Sequence, residues 1–126
     1  MDQAYWYMID NGMASNQSYP FKGSNQNCKY SQAQKIVKVG RCARVPGGVY
    51  LKLISAVIQQ PVSVAVSSEK FMLYERGIFD GDCNHDLDRG MLLVGYGADE
   101  EHEFWILKNS LGVSWGEKGY MRLKRT

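Results

Sequence analysis

The segment Pro61-Val62-Ser63-Val64-Ala65-Val66 sets three β-branched residues among small ones directly behind a proline, and it contains no charge. Branching at Cβ stiffens these side chains and favours extended backbone. An uncharged strand of this kind expects both of its faces to be largely covered, so the residues around it must supply the cover. Just before it, Val49 to Gln60 places Leu53 and Val57, with Tyr50 and Ile54 one step round, on one side of a helix. Proline disfavours helical geometry in the residue ahead of it, so this helix stops at Pro61. Beyond the strand, Ser67-Ser68-Glu69 has the composition of a cap for a short helical turn at Lys70 to Tyr74, and Gly77-Ile78-Phe79 resumes extended chain. Met91 to Tyr96, Glu103 to Lys108 and Tyr120 to Lys124 read as further strands. They are joined by turns at Gly97-Ala98-Asp99-Glu100 and Gly116-Glu117-Lys118-Gly119. The expected class is α+β: a small, curled antiparallel β-barrel with short flanking helices.

The amino-terminal stretch adds less core. Ala4, Tyr5, Met8 and Ile9 recur at helical spacing, and Asn11-Gly12 ends that helix by offering a residue at ease with positive φ. Ser15 to Lys29 is rich in Ser, Asn, Gln and Gly and reads as an irregular surface loop, leading to a strand at Lys35 to Val39. There is no repeat and no linker, so residues 1–126 are expected to form a single domain.

Fifteen basic side chains against thirteen acidic ones leave a net charge of +2, with the basic groups scattered except for Arg122, Lys124 and Arg125. Nucleic acid is therefore not an expected partner. No apolar run approaches the ~20 residues that span a bilayer, and the amino end lacks a signal-peptide layout. Cys28, Cys42 and Cys83 are too widely spaced for a zinc cluster, and His85 and His102 lie in separate polar loops, so no metal is expected. Cys42 reads as a small buried apolar residue. Asn16-Gln17-Ser18 is a glycosylation sequon that matters only in a secreted protein.

Gly95-Tyr96-Gly97 and the run Phe104-Trp105-Ile106-Leu107-Lys108-Asn109-Ser110-Leu111-Gly112-Val113-Ser114-Trp115-Gly116-Glu117-Lys118-Gly119-Tyr120 resemble the end of papain and the cathepsin L group. Tyr19-Pro20-Phe21, Gln60 to Val66 and Tyr74-Glu75-Arg76-Gly77-Ile78-Phe79 resemble the same family in the same order. The resemblance covers nearly the whole chain and implies the carboxy-terminal lobe of a papain-like fold, without the first lobe that carries the nucleophilic cysteine. It implies no cofactor. It also implies a disulfide between Cys28 and Cys83, with two free thiols as the alternative. Such a bridge would close a loop of about 55 residues.

Chemistry of this family needs a thiolate, a histidine that accepts and returns its proton, and an amide that orients the imidazole. None of the three cysteines has the glycine and tryptophan surroundings that the family gives its nucleophile. The stretch Leu87-Asp88-Arg89-Gly90-Met91-Leu92-Leu93-Val94-Gly95-Tyr96-Gly97 aligns without a gap, and it places Arg89 where the resemblance implies the histidine. A guanidinium stays protonated at any pH the protein meets, so it cannot act as a base, although it can pair with an anion. His85 lies four residues upstream, and shifting the register to use it would break every downstream match. The orienting amide remains as Asn109. Leu111 replaces the tryptophan that would shield it, and Trp115 is kept. Asp88, Gly90 and Trp115 are expected at the wall of the remnant cleft, although Trp115, Trp105 and Tyr120 also suit core positions.

The resulting expectation is a catalytically inactive papain-like module, a structural or binding component of a larger assembly. Its partner would be another protein chain covering the inter-lobe face. The alternatives are one half of a two-chain or truncated cysteine-type endopeptidase, and a peptide-binding inhibitor or carrier. Localisation stays open: lysosomal or secretory by resemblance, or cytoplasmic within an assembly if Met1 is the true start.

Overall fold

A computed structural model describes residues 1–29, 35–81 and 86–125. The described chain divides into two compact units, Met1–Arg44 and Val45–Thr126.

In the first unit, α1 (Asp2–Asn11) is the expected opening helix. It ends where Gly12 adopts φ 75° and donates its N–H to Met8 O at 2.9 Å. Only glycine suits this position, because a Cβ there would approach Val37 O to 2.9 Å as well as strain the backbone. Two short strands follow, β1 (Met13–Ala14) and β2 (Lys35–Val37), paired antiparallel. The strand expected over Lys35 to Val39 thus stops two residues early, and all three of its residues are exposed. Between them the polar loop is held by its own side chains. Ser15 Oγ accepts from Ser18 N at 3.0 Å, Asn16 Oδ1 from Phe21 N at 3.1 Å, and Tyr19 Oη from Lys29 N at 3.2 Å.

The second unit contains the core. Helix α2 (Tyr50–Gln59) buries Val57 and packs Leu53 against that core, as the periodicity requires. Tyr50 departs from that face: it is half exposed and lies under the guanidinium of Arg125. The strands are β3 (Val62–Val66), β4 (Ile78–Phe79), β5 (Arg89–Ala98), β6 (Glu103–Lys108) and β7 (Tyr120–Lys124). They form one sheet in the order β3-β5-β6-β7-β4, antiparallel throughout except for the parallel pair β4 and β7.

This sheet corrects the expected barrel, because it is open. β3 and β4 are its two edges, so the segment 67–77 must carry the chain across from one edge to the other. Phe71 and Tyr74 on that segment enter the core with Val57, Met91, Leu93, Leu107 and Met121. The valine-rich strand is likewise half buried rather than covered on both faces: as an edge strand it packs Val62, Val64 and Val66 inward and leaves Ala65 exposed. Ser68 does not cap a helix. Residues 69–73 form turns in which Phe71 N reaches Ser68 O and Tyr74 N reaches Phe71 O, while the Ser68 hydroxyl is engaged elsewhere.

Candidate functional site

Strands β5 and β6 pair with Leu93 opposite Leu107 and Leu92 opposite Lys108. Side chains alternate along a strand, and directly opposed residues share a face. Arg89, Met91 and Leu93 therefore line one face of β5, and Leu107 and Asn109 continue that face on the neighbouring strand. The last pair of this ladder is Leu92 with Lys108; continued one step beyond it, the register would set Asn109 opposite Met91 and diagonal to Arg89, a relation within reach of a long side chain. That continuation would set on one face the two residues that the sequence singles out for the histidine and amide roles.

Asn109 is buried, at 8% exposure. Its backbone N–H donates to Gly119 O at 2.9 Å, tying it to the turn before β7. Its Oδ1 accepts from Ser110 N at 2.8 Å. A backbone N–H can only donate, so this contact fixes the amide with Nδ2 pointing away. Among the described residues, Nδ2 has no hydrogen-bond partner. The same is true of Arg89 Nε, which is also shielded from solvent. Leaving a buried donor unmatched costs about 1–3 kcal/mol, so two on one face mark a place where stability is not the only constraint.

Asp88 serves a different purpose. It is exposed, and its carboxylate accepts from Ser68 N at 2.7 Å and from Ser68 Oγ at 2.8 Å, while its own N–H donates to Val66 O. The Ser68 hydroxyl and then the Ser68 N–H hold this carboxyl below its ordinary pKa; Arg89 contributes least to the shift. Asp88 thus clamps the end of β3 to the start of β5, and its charge interaction with Arg89 is the weakest of the contributions to its shift. Gly90 pairs with Ala65 across the edge ladder.

The loop after Asn109 is shaped by two anchors. Trp115 stacks against Phe71 at 6.2 Å and Tyr74 at 5.6 Å, and its Nε1 donates to Met72 O at 2.9 Å. It is therefore a half-buried residue packed against the core. At the next position Gly116 takes φ 55°, where a Cβ would meet Tyr120 O at 2.6 Å. Between Asn109 and Trp115 the chain is solvent-facing, with Leu111 39% and Val113 81% exposed.

A neighbouring network was not legible in the sequence. Glu117 takes two hydrogen bonds from Arg122, at 3.0 and 2.7 Å, and one from Gly77 N at 3.0 Å. The Tyr74 hydroxyl donates to Gly77 O at 2.6 Å and accepts from Arg122 N at 3.2 Å. The Arg122 hydrogen bonds lower the pKa of Glu117, and burial raises that of Tyr74. The pairs Tyr74–Gly77 and Glu117–Arg122 are joined by contacts spanning 40 and 48 residues, and that separation hid the network; the residue types themselves suit a partly buried polar knot.

Cys83 and His85 lie outside the described residues, and with Cys83 so does the Cys28 pairing. Cys28 is exposed, and Cys42 is half buried rather than a core residue. Among the described residues, no group of three or more His, Cys, Asp or Glu side chains could hold a metal ion, and no helix is long and apolar enough to cross a membrane.

The family model described as "Papain family cysteine protease" matches residues 1–126. The chain belongs to the papain family of cysteine proteases. It is 38% identical over 130 residues to "Probable cysteine protease RDL6" of Arabidopsis thaliana, covering 99% of this chain and 36% of that protein. It is 41% identical over 132 residues to "Cathepsin L-like" of Caenorhabditis elegans, with 99% and 39% covered. Its fold matches the bromelain protease of Ananas comosus in complex with the E64 inhibitor, with a TM-score of 0.90 and 36% identity over 98% of this chain and 59% of that one. The chain thus spans about a third of the length of these curated relatives, and its papain-like fold is that of a part.

Proposed function

We propose that this papain-family lobe is a non-hydrolytic module, a structural or binding component of a larger assembly in which another protein chain covers the inter-lobe face. The observation that carries the reading is Arg89, standing at the start of β5 on the face it shares with Asn109. If this is the family's histidine position, as the motif spacing implies, the lobe contributes a permanent cation where a proton acceptor is needed. Loss of a catalytic base lowers rates by orders of magnitude. The exposed Leu111 and Val113 support the idea of a covering chain, since apolar side chains grouped beside a cleft suit an interface better than water. The Cys28–Cys83 bridge remains part of this proposal, and with it a secretory or lysosomal origin.

A second reading is favoured by the comparisons themselves: the relatives are named as cysteine proteases, and this chain spans only part of their length. Joined by a lobe carrying the cysteine, it would be one half of an endopeptidase. The two readings separate in a peptidase assay of the natural material together with everything that copurifies with it. The substrate is a broad cathepsin-type fluorogenic peptide under reducing, mildly acidic conditions. We expect no turnover. Turnover blocked by a thiol-directed inhibitor would overturn the non-hydrolytic reading, and intact-mass analysis of the labelled material would identify the chain that carries the nucleophile.

A further inference from the structure

Two buried donors without acceptors, on one face and at one end of a sheet, define the chemistry of what would complete them. We propose that Arg89 and Asn109 form a carboxylate-binding site. This rests on the reading of Arg89 as replacing a base, and it deepens that reading by naming the ligand class.

Three features select a carboxylate. The first is polarity: Arg89 Nε and Asn109 Nδ2 are both donors, both shielded from solvent and both without partners among the described residues, so the missing group must be an acceptor. The Ser110 N–H fixes this sense for Asn109, because it occupies Oδ1 and leaves the NH₂ as the unpaired end of the amide. That amide is oriented to donate, which suits an anion. The second is charge. Asp88, the adjacent acid, is committed to Ser68. Lys108, the nearest cation on β6, alternates to the opposite face from Asn109 and lies 6.0 Å from the Tyr120 ring centroid. The Arg89 guanidinium therefore supplies one positive charge that Lys108 does not reinforce, matching a monoanion better than a phosphate dianion. The third is shape. The guanidinium fork presents parallel N–H groups to a planar two-oxygen acceptor, and the Asn109 NH₂ adds a donor from the neighbouring strand.

The carboxylate can be the free end of a peptide chain or an Asp or Glu side chain of a covering protein; the chemistry is shared and the probes differ. Binding of a dansyl-labelled peptide without acidic residues, whose label carries no carboxylate, is followed by anisotropy to millimolar protein, using the full chain. The same peptide is tested with a free carboxyl terminus, as the amide, and as the amide carrying one internal Glu. We expect the free acid to bind at least about tenfold more tightly than the plain amide. Equal binding of the Glu-bearing amide and the free acid assigns the site to either source, and preference for one assigns it to that one.

Arg89→Gln should reduce the free acid to the level of the amide. Asn109→Asp keeps the shape and the Ser110 contact but places an internal carboxylate beside Arg89, and it should abolish the discrimination with the melting transition retained. The proposal is overturned if acid and amides bind alike, if none binds, if both variants discriminate as the parent does, or if inorganic phosphate displaces the peptide more effectively than acetate. The fluorogenic assay on the same samples keeps the two readings apart. Turnover there would remove the non-hydrolytic reading, whereas lost discrimination without turnover removes only the carboxylate site.

Discussion

The two ends of the β5–β6 pair use the same kinds of residue and leave them in opposite states. At the hairpin end, Asp99 Oδ1 accepts from Glu101 N at 3.1 Å and His102 N at 2.8 Å, closing the turn. Arg125 there has a side chain 10% exposed, pairs with Glu103 at 2.6 Å, and lies 5.3 to 5.9 Å from the rings of Trp105, Tyr50 and Tyr96. Among the described residues its Nη1 has no hydrogen-bond acceptor, yet the guanidinium has a carboxylate and three aromatic faces to offset its burial. At the open end, among the described residues, Arg89 Nε and Asn109 Nδ2 are shielded from solvent without a hydrogen-bond partner, and Asp88, the adjacent acid, is hydrogen-bonded to Ser68. A protein selected for stability alone would satisfy both ends. The difference is that the hairpin end offsets the burial of its guanidinium within the lobe, whereas the open end, among the described residues, leaves its two donors unmatched.

The largest effect tests what both ends share. Leu93 is 1% exposed at the centre of the ladder, and Leu93→Ala should cost about 3 kcal/mol in denaturant unfolding, loosening both ends together. The sharper test is a matched pair. Arg125→Met removes an ion pair and three ring contacts and should cost about 1–2 kcal/mol. Arg89→Met removes an unmatched buried donor while keeping an apolar stem, and should leave stability unchanged or raise it by up to about 1–3 kcal/mol. Equal losses at the two positions would show that Arg89 has a structural partner and would erase the contrast.

Much of this architecture was legible because local rules and tertiary structure agree. The α2 helix stops at a proline, β5, β6 and β7 follow their apolar patterns, and Gly12 ends α1 as glycine allows. Strand order was not legible. β3 and β4 are close in sequence yet occupy opposite edges, a matter of long-range pairing that no local pattern encodes. Hence an open sheet was read as a barrel, and an edge strand as a covered one. The candidate site divides the same way. Motif spacing picks out Arg89, at the start of β5, and Asn109, just past the end of β6. The role of Ser68 was misread, because its hydroxyl had a cap to make nearby and instead reaches Asp88, 20 residues away. The Glu117–Arg122 pair was seen only as turn and strand residues, since its value comes from Gly77 and Tyr74 on a distant segment.

The smallest expected effect concerns acid. Asp88 at the open end and Asp99 at the hairpin end both have pKa values lowered from the ordinary 3.8, by Ser68 hydrogen bonds in one case and by the His102 and Glu101 N–H groups in the other. A carboxyl whose folded pKa is depressed stabilises the fold above its unfolded pKa, and that stabilisation is lost as pH falls through the folded value. Both should therefore contribute fully at neutral pH and progressively less below about pH 4. Asp99→Asn and Asp88→Asn should each flatten the acid limb of a stability-against-pH curve. Both carboxylates bond to donors that neutralisation weakens without removing, so each change should be modest. The two then separate by where the loosening appears. Asp99→Asn should speed amide hydrogen exchange in the hairpin and leave Arg89 and Asn109 undisturbed. Asp88→Asn should speed exchange at Ser68 N, because that N–H donates directly to the lost carboxylate, and it should weaken any discrimination between peptide acid and amide by loosening the strand that carries Arg89. If Asp88→Asn instead leaves exchange at Ser68 unchanged, the clamp does not hold the open end in place, and the unmatched donors there are set by the β5–β6 register alone.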